Sequence, residues 1–324
     1  MRIDSSHGTA PSRPVIYASI TALMAIWAIN FVVGKIALRY WDPLTLASFR
    51  VTLAAIFLVL LFPVCRRLPA FAEAARAHQQ GRRSFKDFWP FLYLGFFGIA
   101  INQICFTVGL RYTSVTHSSV IVGMGPLYAL ILAVLFRLEA ATVRKVTGMV
   151  IAFAGVVLMT YHPHDAQHNA TILGDAITLT GSLGFAMYGV LGKRVAARYD
   201  TLTMTTYNAV FGALLVLPIA IHNAYAIGPL ANWRAIPAAA WLGLLYMAFF
   251  SSVLAYLFYF WLLRYLEVTQ LSSFSYLLPA TATALSILFL GERGTMAELL
   301  GGALALSGVY WVETGRNRSP RSPA

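Results

Sequence analysis

The stretch RYTSVTHSSVIVGMGP, residues 111–126, returns 153 residues later as RYLEVTQLSSFSYLLP, residues 264–279. Arg111-Tyr112 falls on Arg264-Tyr265, Val115-Thr116 on Val268-Thr269, and Pro126 on Pro279. The match runs on through Leu135-Phe136 and Leu288-Phe289, Glu139 and Glu292, Thr142 and Thr295, Gly148 and Gly301, and Gly155-Val156 and Gly308-Val309. An offset of 158 joins the earlier parts, Gly34-Lys35 with Gly192-Lys193, Asp42 with Asp200, and Leu44-Thr45 with Leu202-Thr203. Self-similarity over this length is the signature of two copies of one unit.

Composition says what kind of unit it is. Of 324 residues, 59% are apolar and 11% charged, against about half and about a quarter in a soluble domain. Charge this sparse cannot coat a soluble surface, so lipid is the solvent for most of the chain. A helix that crosses a bilayer needs about 20 mainly apolar residues, because its backbone polar groups must be satisfied within the segment. Ten runs qualify: 15–37, 43–64, 88–110, 113–136, 144–161, 174–196, 201–222, 237–263, 268–290 and 295–313. The expected fold is an all-α integral membrane protein of ten transmembrane helices, with helices 1–5 repeated as 6–10. The expected organisation is a cytoplasmic tail (1–14), a first copy (15–161), a periplasmic linker (162–173), a second copy (174–313) and a cytoplasmic tail (314–324). The uncharged run from Pro14 to Gly34 exceeds the apolar core of a cleaved signal peptide and reads as the first helix.

Orientation follows from the basic residues. With the N-terminus inside, eighteen of the 24 Lys and Arg fall in inside segments, among them Arg66, Arg67, Arg137, Arg144, Lys145, Lys193 and Arg194. Lys35, Arg39, Arg111, Arg234 and Arg293 fall outside, and Arg50 lies within helix 2. Both termini are therefore expected in the cytoplasm. The net charge of +12 resides in short gaps between apolar runs, which argues against nucleic acid as a partner. Because five is odd, the second copy must enter the membrane from the other side, giving an inverted repeat about an axis in the membrane plane. Copies so related can exchange conformations and open alternately to either side of a midplane site, the logic of a secondary transporter.

Polar side chains inside spans are costly, so they tend to face the bundle interior. Arg50, about seven residues into helix 2, reads as a fixed cation for a substrate carboxylate or as an anchor bonded to carbonyls. Asn208 is its counterpart. Asn30, Asn102 and Gln103 offer amides for substrate, though interhelical bonding is their commoner use. Tyr188 corresponds to Asn30 and Tyr256 to Gln103, a lining of amides and phenols suited to an amphiphilic metabolite. Trp27, Tyr128, Tyr207 and Tyr276 either join this wall or face lipid. Pro126 and Pro279 are hinge candidates or static kinks. Lys35 either snorkels or meets Asp42 at an outer gate. Glu139 and Glu292, at helix junctions, read as caps of backbone amides or partners of Arg. No Asp or Glu lies mid-span, and His117 is the one deep imidazole. The small-residue faces of helices 5 and 10 suit scaffold packing or a homodimer.

The arrangement Trp27-Ala-Ile-Asn30-Phe with Lys35, Phe49-Arg50, Gly109-Leu110-Arg111-Tyr112-Thr113 followed by Pro126, Gly174-Asp175 and Gly291-Glu292-Arg293 resembles the EamA-type proteins of the drug/metabolite transporter superfamily. The resemblance spans residues 15–313. It implies a ten-helix carrier of the bacterial inner membrane, cytoplasmic at both termini, usually an exporter of amino acids or other small metabolites. Arg137-Leu138-Glu139-Ala140 departs from the Gly-Glu-Arg pattern, which implies a looser turn there.

Rival readings find less support. There is no HExxH, no GxSxG and no phosphate-binding glycine loop. His162, His164 and His168 near Asp165 read as a solvated loop rather than a metal site, and Cys65 and Cys105 build no disulfide framework. The expected partners are a small-molecule substrate and the lipid bilayer, with no cofactor, no metal and no catalytic residue. An integral-membrane enzyme and a lipid or vitamin carrier remain the alternatives.

Overall fold

Residues 11–68, 88–112, 121–160, 172–226, 236–278 and 296–314 are described by the computed structural model, and every regular element among them is helical. In chain order they form α1 (Arg13–Ala37), α2 (Pro43–Cys65), α3 (89–112), α4 (Gly125–Leu135), α5 (Val143–Thr160), α6 (Ile172–Ala196), α7 (Thr201–Ala226), α8 (238–265), α9 (268–276) and α10 (Met296–Thr314). Five stretches are long and apolar enough to cross a membrane: Arg13–Asn30, Pro43–Cys65, Trp89–Gly109, Thr201–Asn223 and Ala238–Tyr265. His117, Pro279, Glu292 and the histidines of 162–168 lie outside the described residues.

Three boundaries differ from the hydropathy reading. Helix α1 begins at Arg13, within the expected tail, because Pro14 suits a first helical turn. Helix α6 begins at Ile172, within the expected linker, and α7 runs on to Ala226, past the expected end at 222. The described part of the fourth run is interrupted. Residues 121–123 are helical, Met124 is a turn, and α4 restarts with Pro126 in its first turn, where the missing N–H costs no intrahelical bond. Among the described residues, the prolines inside helices are instead Pro63 of α2 and Pro218 of α7.

The repeated Asp-x-x-Thr has a local cause. Asp42 Oδ2 accepts from Leu44 N at 3.1 Å and Thr45 N at 3.1 Å, capping α2. Asp200 caps α7 in the same way, Oδ1 accepting from Thr203 N at 3.0 Å and Oδ2 from the Thr203 hydroxyl at 2.7 Å. Each satisfies amides that a helix start leaves bare. The turn at Arg137 is not loose. Leu138 N donates to Ala133 O at 2.8 Å across the end of α4, while Arg137 takes φ 55°, a region more natural to glycine.

Packing follows a fixed scheme. Helix α1 lies against α8, α2 against α7, α3 against α6, α4 against α9, and α5 against α10. Between apolar helices in lipid, close backbone approach replaces the hydrophobic effect as the driving force. The α5–α10 contact is built that way. A Cβ on Gly155 would meet the backbone of Gly301 and Ala305, and one on Gly308 that of Gly148 and Ala152. These small-residue faces are consumed within the chain.

Helices α3 and α8 share an irregularity. Each contains a π-helical stretch, Gly95–Ile101 in α3 and Met247–Leu254 in α8, at corresponding positions of the two copies. The first packs on α7, the second on α2.

One end of the bundle is laced by charge. Arg66 Nη1 lies 3.1 Å from Asp200 Oδ2. Lys145 Nζ lies 2.8 Å from Glu139 Oε2 and 2.7 Å from Glu267 Oε2. Glu139 also accepts from Thr269 N at 3.2 Å and from the Thr269 hydroxyl, so it caps α9 and pairs with a lysine. Lys193 Nζ donates to Leu263 O at 2.5 Å and Leu266 O at 2.8 Å, and Arg194 Nη2 to Phe136 O at 2.6 Å.

Candidate functional site

The π stretch of α8 faces α2 where Arg50 points inward. Arg50 is buried, and its Nε donates to Ser252 Oγ at 2.8 Å. Among the described residues no carboxylate pairs with this guanidinium. A buried cation without a counter-charge carries an unrecovered desolvation cost and attracts an anion.

Tyr256 stands one turn beyond Ser252 on α8. Its hydroxyl accepts from Gln103 Nε2 at 3.0 Å, joining α3 to α8. Rings surround this bond: Trp27 stands edge-on to Phe185 at 5.8 Å and to Tyr256 at 6.5 Å, and Tyr188 stacks on Tyr259 at 6.3 Å. Helix α3 makes room for Tyr188 by offering Gly98, whose absent side chain is where the ring lies. Asn208 of α7 is fully buried.

Several polar atoms here are buried without a hydrogen-bond partner among the described residues: Asn30 Oδ1, the Asn208 amide, the Tyr188 and Tyr276 hydroxyls and Ser251 Oγ. Each costs about 1–3 kcal/mol while unmet, a cost that a polar guest or water relieves.

The structure thus joins Gln103, Tyr256 and Tyr188 in one chain of contacts, ties Arg50 to the same helix α8 through Ser252, and buries Asn208 on α7. It draws Asn102 elsewhere. That amide donates to Gly181 O at 3.0 Å, an interhelical bond between α3 and α6. Trp27 joins the ring cluster, while Tyr207 packs on Phe88 and Phe91 at 5.8 and 5.1 Å, and the Tyr128 hydroxyl contacts Met124 Sδ at 3.4 Å. Asp42 caps α2; the Lys35 side chain lies outside what is described. Sequence reasoning missed Phe185, Tyr259, Ser251 and Ser252. Among the described residues no group of three or more His, Cys, Asp and Glu is placed to hold a metal ion, and Cys65 and Cys105 are unbridged.

The EamA-like transporter family matches residues 14–161 and 172–314. The chain belongs to that family. As an EamA-like protein of the drug/metabolite transporter superfamily it is a multi-pass membrane protein of transmembrane transport. An uncharacterised transporter of Archaeoglobus fulgidus is 26% identical over 289 residues, covering 89% of this chain and 95% of its own. The uncharacterised transporter YyaM of Bacillus subtilis is 29% identical over 296 residues, covering 91% and 92%. A probable terminal-alkyne amino-acid exporter of Streptantibioticus cattleyicolor is 23% identical over 310 residues, covering 94% and 96%. A solved crystal structure, 15% identical, shares the fold with a TM-score of 0.71 over 93% of this chain and 96% of its own.

Proposed function

We propose that this EamA-like protein is a secondary carrier, not an enzyme, that exports amino acids or similar small carboxylates across the bacterial inner membrane by alternating access. The observation that carries the reading is Arg50, a buried guanidinium with no paired carboxylate among the described residues, set beside a wall of amides and rings. A substrate carboxylate supplies the missing charge through paired hydrogen bonds, and the rings Trp27, Tyr188 and Tyr256 take the apolar part. Asn30 and Asn208 complete the site; Asn102 contributes by holding α6 in place. The amino-acid exporter among the relatives supports this class of cargo.

The ten-span, five-plus-five inverted repeat is part of the proposal. Exchanging each helix for the one five places away turns α1–α8 into α6–α3 and returns α2–α7, α4–α9 and α5–α10 to themselves, which supports such a repeat. Gln103 and Tyr256, equivalent by sequence, touch each other, as residues beside the relating axis must. With both termini cytoplasmic, the laced end is the inner gate, shut in this conformation. Pro126, at the break before α4, and its counterpart Pro279 are the proposed flexing points.

The test compares metabolites released by cells making the intact protein, R50Q or neither, with membrane insertion verified. Release of a small carboxylate by the intact protein and not by R50Q is expected. Equal release with R50Q removes Arg50 from the site and the reading with it.

A further inference from the structure

We propose that Ser252 is a positioning residue that turns Arg50 into an end-on clamp for one carboxylate, making the carrier select its cargo by a free, singly charged carboxyl group. The inference rests on the carboxylate reading of Arg50 given above.

A guanidinium carries five N–H donors, one on Nε and four on its two terminal nitrogens. Here the Nε donor goes to Ser252 Oγ at 2.8 Å. The serine is itself fixed: its hydroxyl proton goes to Met247 O at 3.0 Å, five residues back. The wide π turn Met247–Leu254 brings that carbonyl beneath the hydroxyl. Ser252 is buried, so no solvent rotates it away. Its oxygen is thereby committed as an acceptor toward Arg50, and the guanidinium is held by its inner edge. The outer edge, with both terminal nitrogens side by side, is the edge that fits the two oxygens of a carboxylate. Tyr256, one turn beyond Ser252, holds the neighbouring space through its bond to Gln103.

The pair equivalent by the repeat lacks this device. Ile99 stands 153 residues before Ser252, and Asn208 stands where Arg50 has its counterpart. There Gly212 packs directly on Ile99 and Gly98 on Tyr188. One side of the interior is thus a charged clamp and the other an uncharged wall of rings and the Asn208 amide, so the cargo is held by its carboxyl at one end and its apolar part at the other.

The experiment uses the full-length protein in lipid nanodiscs with a panel of L-amino acids, their 2-oxo acids and their amides, L-phenylalanine, phenylpyruvate and L-phenylalaninamide among them, binding being read for the intact protein, S252A, S252T and R50Q. The intact protein and S252T should bind carboxylates and refuse the amides. S252A should raise the half-saturating concentration about tenfold, the scale of a lost hydrogen bond to a charged group, and in proteoliposomes leave the maximal rate unchanged. Equal affinity of S252A and the intact protein, with R50Q inactive, overturns the role of Ser252 while leaving Arg50 as the anion site. Equal binding of acids and amides, no binding of any panel member, or R50Q indistinguishable from the intact protein overturns the carboxylate reading and this proposal together.

Discussion

Replacing Arg50 by Lys separates charge from geometry. Lysine keeps a cation on α2 but has neither the Nε bond to Ser252 nor a planar fork, so R50K should lower transport at least tenfold with folding intact, measured as efflux from loaded proteoliposomes. The Gln103–Tyr256 bond makes a second prediction. Y256F leaves a buried amide unmet and should cost about 1–3 kcal/mol of stability, whereas adding Q103L should recover part of it, a coupling read from thermal unfolding in micelles. The residue scale is also where sequence reading stops short. Arg50 was legible because charges within spans are few and expensive. Asn102 and Gln103 were not separable: adjacent on one helix, they project about 100° apart, and helices apolar all round hide which face is which. Ser252 carried no signal, since its role depends on the guanidinium that reaches it from α2, 202 residues away in sequence.

At the scale of elements, the crossing of α5 and α10 predicts a sharp contrast between glycines. A methyl on Gly155 collides with backbone, which cannot swing aside, so G155A should destabilise by about 1–3 kcal/mol. The same change at Gly34 meets only the flexible end of Met247 at 3.6 Å and should be neutral within about 0.5 kcal/mol. Unfolding midpoints of the two variants check this. Lys145 is the junction's counterpart: K145M strands the buried Glu139, with a cost of about 3–5 kcal/mol, and K145R should restore most of it by the same assay. Helix positions were legible as apolar runs because backbone satisfaction forces them. The π stretches were not, since no residue type encodes them and tertiary contact with α2 and α7 selects them. The turn at Arg137 was misjudged for the complementary reason, local propensity yielding to hydrogen bonds.

For the whole molecule, the pairing of helices matters more than any one of them. Under the proposed alternating access, opening at the laced end parts Glu139 from Thr269, Arg66 from Asp200 and Arg194 from Phe136, each a link between the two copies. The sidedness on which this rests predicts that a fluorescent protein fused to the C-terminus folds and glows, whereas alkaline phosphatase fused there stays inactive in whole-cell assays. The paired π turns also carry information about time. A π turn holds one residue more than the ladder around it needs, and both copies hold that surplus at one register. In a chain that arose by doubling, a shared surplus residue is older than the doubling. The difference between Ser252 and Ile99 lies within that shared register, so the two copies keep one backbone irregularity while differing in the side chains it presents.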